Sequence, residues 1–167
     1  MDNSIFFSMF LLFPLAITLH NIEEALWLPQ WSKFAGKLRK SVSKTEFHFA
    51  VLIVTLLAYL STGLFIMFPQ EYVLKLFYFG FNGAMIFNAF FAHLGGTILL
   101  KRYCPGLITG LFLMVPFSSL ILFFSISNNI ISWMEIIIAT VVLSALLMAL
   151  VPHLEKLGKN ILADYAD

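Results

Sequence analysis

Five runs of this chain reach or pass the length of about 20 apolar residues that a helix needs to cross the hydrocarbon of a bilayer. They occupy residues 5–28, 47–68, 72–100, 107–126 and 130–151. Transmembrane β-strands would be shorter and would alternate in polarity, and these runs do neither. Only 11% of the residues are charged while 60% are hydrophobic; an ordinary soluble domain carries about 25% charge. A core of this size cannot hide so much apolar surface from water. Soluble globular and disordered classes are therefore excluded. The expected fold class is all-α: a polytopic membrane protein of five transmembrane helices, forming one membrane-embedded domain over residues 1–167.

Charge placement gives an expected orientation. Lys33, Lys37, Arg39, Lys40, Lys44, Lys101, Arg102, Lys156 and Lys159 fall on one side of the five spans, and Lys75 alone on the other. Lys/Arg-rich segments stay cytoplasmic, which predicts the N-terminus outside, the C-terminus inside, and a multi-pass protein of the cell membrane. Trp27, Trp31 and Phe34 then belong to the cytoplasmic aromatic belt. Met1-Asp2-Asn3-Ser4 lacks the positive start of a secretory signal and no cleavage pattern follows, so the first run reads as a retained span. Residues 31–46 read as a loop whose lysines set topology; the spacing of Trp31, Phe34, Leu38 and Val42 also suits a short surface helix. The net charge of +1 offers nucleic acid no basic face. A single cysteine, Cys104, excludes an intramolecular disulfide and a multi-cysteine zinc site.

One string in the first span breaks the apolar pattern: His20-Asn21-Ile22-Glu23-Glu24. A carboxylate near the bilayer centre costs on the order of 3 kcal/mol even on a lenient scale. On a helix Glu23 lies about 60° to one side of His20 and Glu24 about 40° to the other, so the three share a face. His20 sits about 12 Å inside the cytoplasmic boundary by helical rise. His93, eight residues before Lys101, has the same expected depth from the third span. Asn88 falls about 140° from His93 on a regular helix, so the two are not expected to face one centre. Thr109, in the first turn of the fourth span, lies near this layer, and His48 at the start of the second span either reaches it or stays interfacial. Pro105-Gly106 reads as a turn, Cys104 as an incidental thiol and His153 as a surface residue.

Imidazole nitrogen with carboxylate oxygen is a normal set of donors for zinc, iron or manganese. A dication would also offset the cost of two buried acids. The residues therefore nominate His20, Glu23, Glu24 and His93 as metal ligands, with Glu23 or Glu24 as the group that handles protons. Asn88, Thr109 and His48 are candidate supporting or substrate contacts. The leading functional reading is a metal-dependent, hydrolase-like enzyme acting on a lipid or other apolar substrate. The alternatives are a small proton-linked carrier or ion-binding protein, and a structural or immunity-type membrane protein in which the cluster only joins helices. Haem between two histidines ranks lower, because it leaves the carboxylates without a role.

The string His20-Asn21-Ile22-Glu23-Glu24 resembles the signature of the HXXEE-domain family of small bacterial integral membrane proteins. Asn88-Ala89-Phe90-Phe91-Ala92-His93-Leu94-Gly95 resembles that family's second polar block, and Tyr103-Cys104-Pro105-Gly106-Leu107-Ile108-Thr109 its Pro-Gly-x-x-Thr block. The resemblance implies that His20, Glu23, Glu24 and His93 belong to one site. It implies no substrate.

Overall fold

A computed structural model describes residues 8–36 and 38–162. The described residues are helical without strands, and five of their helices are long and apolar enough to cross a membrane: α1 (Ser8–Ser32), α2 (Lys44–Met67), α3 (Tyr72–Leu100), α4 (Leu107–Ser127) and α5 (Trp133–Ile161). Large apolar side chains, among them Leu15, Leu60, Phe112, Phe123 and Val141, stay exposed around the outside. In water that surface would be a penalty; against hydrocarbon it costs nothing.

Polar caps and packing move several ends away from the limits of the apolar runs. The expected start of the first run at residue 5 lies outside the described residues. At its other end α1 continues past Leu28 and through Pro29 to Ser32, whose hydroxyl donates to the Pro29 carbonyl at 2.8 Å. Helix α2 begins at Lys44, before the apolar run at 47, because Ser43 and Glu46 form a reciprocal capping box. Ser132 and Glu135 make the equivalent bonds ahead of α5, which starts at Trp133 instead of 130. That helix also runs on through Pro152 and well past Val151. Its extension is held by an Arg39–Glu155 ion pair and by Gly158, where an added Cβ would sit 2.7 Å from Phe49 Cβ.

The end of the bundle away from the lysine-rich side is filled by rings. Phe65 stacks on Tyr78 with centroids 4.9 Å apart; Phe10, Phe13 and Phe79 meet this pair edge to face, and Phe81 meets Phe13 in the same way. The buried Tyr78 hydroxyl donates to the Phe10 carbonyl at 2.9 Å, which satisfies the one polar atom in the cluster. Helices α3 and α5 approach closely at Gly80, where a Cβ would come within 2.7 Å of the Ala139 carbonyl oxygen. The segment between α1 and α2 is a loop of turns whose described residues are mostly exposed, anchored by two buried side chains. Ala35 is fully buried, and Val42 is covered by Leu28 and Phe47 while its N–H donates to Ser32 Oγ at 3.1 Å.

Two helices change pitch at the same level. Residues Ala89–Leu94 of α3 and Gly110–Met114 of α4 are π-helical. Such turns pair residues five apart and recur at functional sites. They face each other at Gly110, where an added Cβ would lie 3.2 Å from Ala89 Cβ and 3.7 Å from the His20 ring. This is the layer that holds the polar residues.

Candidate metal centre

His20 of α1 and His93 of α3 are both buried, at 0% and 2% exposure. Their rings meet edge to face 4.9 Å apart. Glu24, one turn beyond His20, offers one oxygen to each imidazole: Oε2 lies 4.0 Å from His20 Nε2 and Oε1 lies 3.5 Å from His93 Nε2. These three residues form a group able to hold a metal ion, their donor atoms all within 4.8 Å of one another. A tetrahedral ion with bonds of about 2.0–2.1 Å needs donors about 3.3–3.5 Å apart. Glu24 and His93 already meet that spacing at 3.5 Å, and the other separations exceed it by up to about 1.4 Å. His20 Nε2 is buried with no hydrogen-bond partner among the described residues, the condition of a nitrogen whose lone pair is free for a donor or a metal ion.

The π-turn alters the place of Asn88. On a regular helix Asn88 and His93 would diverge. The wider turn carries the chain through about one revolution in five residues and puts both on one face. Asn88 Nδ2 donates to His93 Nε2 at 2.9 Å, the bond that a metal would have to displace. On the other side of its ring, His93 Nδ1 lies 3.7 Å from Cys104 Sγ. Cys104 is thus a buried neighbour of the site, and burial, with the charge of Glu24 next, pushes its thiol up to about 12.

Glu23 stands apart from this group. Its carboxylate reaches across to the start of α4 and receives four donors. Tyr103 Oη–H and the Gly106 N–H (2.8 Å) serve Oε1; the Thr109 N–H (2.9 Å) and hydroxyl (2.6 Å) serve Oε2. Two of these are orphan amides of a helix N-terminus, where a negative charge is favoured. Glu23 therefore caps another helix and lies outside the His20–Glu24–His93 group. Tyr103 sits in the loop before α4, and partial burial together with the Glu23 carboxylate pushes its phenol up to about 12.

Thr109 connects the two halves, since its Oγ1 also lies 3.1 Å from His20 Nδ1. Gly106, read from sequence only as part of a turn, proves to be a wall of the site. It has φ +93°, and a Cβ there would lie 2.5 Å from His93 Cε1 and 2.9 Å from His20 Cε1. The signal for it was Pro105-Gly106 itself: a glycine needed for positive φ is also one that lets backbone approach a ring. Asn21 turns away and donates to Thr55 Oγ1 at 2.7 Å, tying α1 to α2. His48 is exposed and bonds the Ala25 carbonyl at 2.9 Å, outside the cluster.

A cavity of about 840 Å³ opens onto Glu24 and His93. Its floor is apolar, with Val54, Ala84, Met85 and Leu147; its mouth carries Arg39, Lys40 and Glu155. On the other side of α1 a more open apolar groove of about 810 Å³ is lined in part by Glu23, Tyr103 and Thr109.

A bundle of membrane-length helices around a buried imidazole–carboxylate cluster defines the class of protein. Residues 11–121 match the family described as "Protein of unknown function with HXXEE motif", and the chain belongs to that family, with His20, Glu23 and Glu24 as its motif. It is 48% identical over 149 residues to "Uncharacterized protein YrkK" of Bacillus subtilis (strain 168), a similarity covering 89% of this chain and 94% of that protein. No solved structure matches the chain at a significant level.

Proposed function

We propose that this is a cell-membrane protein, N-terminus outside and C-terminus in the cytoplasm, whose His20, Glu24 and His93 bind a divalent metal ion and hydrolyse a lipid-like substrate. The observation that carries the reading is the unpartnered, buried His20 Nε2 beside Glu24 and His93. Three protein donors with one position open is the composition of catalytic zinc sites. Iron and manganese accept the same donors. In that role a bound metal supplies a water acidified to a pKa of about 7 and polarises the bond to be cut. The chain's own residues do the rest. Glu24 spans both imidazoles, Glu23 and Thr109 hold His20 from behind, and Asn88 occupies His93 Nε2 until a metal displaces it. The cavity floor accepts an apolar chain while its charged mouth, on the lysine-rich side, admits water.

Elemental analysis of the detergent-purified protein tests the metal. About one zinc, iron or manganese per chain, lost in Glu24→Gln and His93→Ala variants that keep their helical content, supports the reading. Wild type without metal after zinc loading refutes it. Hydrolysis is then assayed with medium-chain p-nitrophenyl esters. Labelling of single cysteines placed at each end tests the orientation.

A proton-linked carrier is the second reading. It draws on the two π-turns of α3 and α4 at the level of the cluster, since such turns recur at functional sites and leave the helix continuous. Metal-free protein in vesicles that moves protons, and stops doing so as Glu24→Gln, would support it.

A further inference from the structure

His20 lies between two clefts, and its two ring nitrogens face different groups. Nδ1 faces Thr109 Oγ1 at 3.1 Å; Nε2 faces Glu24. The Thr109 hydroxyl has one proton and two neighbours. It lies 2.6 Å from Glu23 Oε2 and already shares that oxygen with the Thr109 N–H. Were the hydroxyl to donate to His20 instead, two oxygens bearing lone pairs would face each other at this distance. The proton therefore goes to Glu23, and Thr109 Oγ1 is left only as an acceptor. Nδ1 must then supply the hydrogen.

We infer that Glu23 and Thr109 set the tautomer of His20: carboxylate, hydroxyl and imidazole form a relay that keeps the proton on Nδ1 and leaves the Nε2 lone pair aimed at Glu24 and His93. Glu23 and Thr109 are positioning residues, acting on the cluster through His20. This explains why the HXXEE string holds two adjacent acids. One faces the donor group directly; the other works from behind the histidine by way of α4. Carboxylates behind metal-binding histidines act in this way, and their loss typically lowers metal affinity about 10–100-fold. Here a hydroxyl is interposed, so the threonine is as necessary as the acid.

The tautomer part stands without any metal, whereas the affinity part rests on the function proposed above. The test uses full-length protein with 15N-labelled histidine rings in lipid bilayers, free of metal, read by solid-state NMR at neutral pH. Wild type is expected to show His20 protonated at Nδ1 and bare at Nε2. Thr109→Val, which keeps the shape and removes the hydroxyl, is expected to lose that preference and to bind zinc about 10–100-fold more weakly. Thr109→Ser is expected to restore both. A wild-type His20 protonated at Nε2 overturns the inference, even if Thr109→Val fails to fold. So does a folded Thr109→Val with unchanged tautomer. If the tautomer behaves as expected while wild type takes up no zinc, the inference holds and the metal reading is the one that fails.

Discussion

Gly106 packs against His20 and His93 at once: a methyl group in place of its Hα would lie 2.9 Å from one ring and 2.5 Å from the other. The two histidines come from α1 and α3, near the ends of these helices that face the α4 loop, and a loop glycine is what lets α4 close over both. The same residue donates its N–H to Glu23 at 2.8 Å. Turn, cap and cluster are therefore one structural unit, in which a change at any member is felt at the others.

Gly106→Ala is accordingly expected to destabilise the fold and spread the histidines. Positive φ in a non-glycine residue costs of order 1–3 kcal/mol, and the clash with two buried rings adds to it. Thermal unfolding in detergent, followed by circular dichroism, should show a lowered midpoint. An unchanged midpoint would mean that the loop sits farther from the rings.

Removing Phe91 tests the π-turn. This side chain is exposed, and deleting it returns Ala89–Leu94 to ordinary α-helical count. Asn88 and His93 would then stand four apart on a regular helix, about 40° from each other, and would keep one face. Helical content and zinc uptake should therefore both persist. Loss of uptake would show that the wider turn itself, and not only the shared face, positions His93.

Glu23→Gln should cost more than a surface change. The amide keeps the size of the carboxylate but brings an NH₂ among four donors, leaving some unpaired. A buried donor left without its acceptor typically costs about 1–3 kcal/mol. Chemical unfolding of the variant beside wild type measures this. Equal stabilities would contradict the capping role.

The loop before α4 gives a pH signature. Tyr103, raised from its usual range to about 12, holds its proton more tightly folded than unfolded. The stability it contributes is fully present below about 10, the phenol value of the unfolded chain, and is lost as pH rises through about 12. Tyr103→Phe should flatten the stability profile in that alkaline window and nowhere lower. Cys104, also raised to about 12, remains a thiol at pH 8 and should resist maleimide in the folded protein, reacting only after denaturation.

The number of helices was legible because hydrocarbon leaves a polypeptide little choice: a run of some 20 apolar residues must satisfy its backbone within itself. The string from His20 to Glu24 was legible because ionisable groups stand out against that background. His20 and His93 could be placed at one depth by counting residues, since helical rise is constant. Angle was another matter. Asn88 was expected to point away from His93, and the π-turn between them reversed that. The turn lies where α3 and α4 pack at Ala89 and Gly110, a contact that no local spacing records. The adjacent acids Glu23 and Glu24 looked alike on a helical wheel. Only the arrival of the α4 N-terminus separated them, by offering four donors to one and none of these to the other. Composition and periodicity act along a single helix; the roles of these residues arise between helices, where a backbone amide or a glycine from a distant turn decides what each side chain meets.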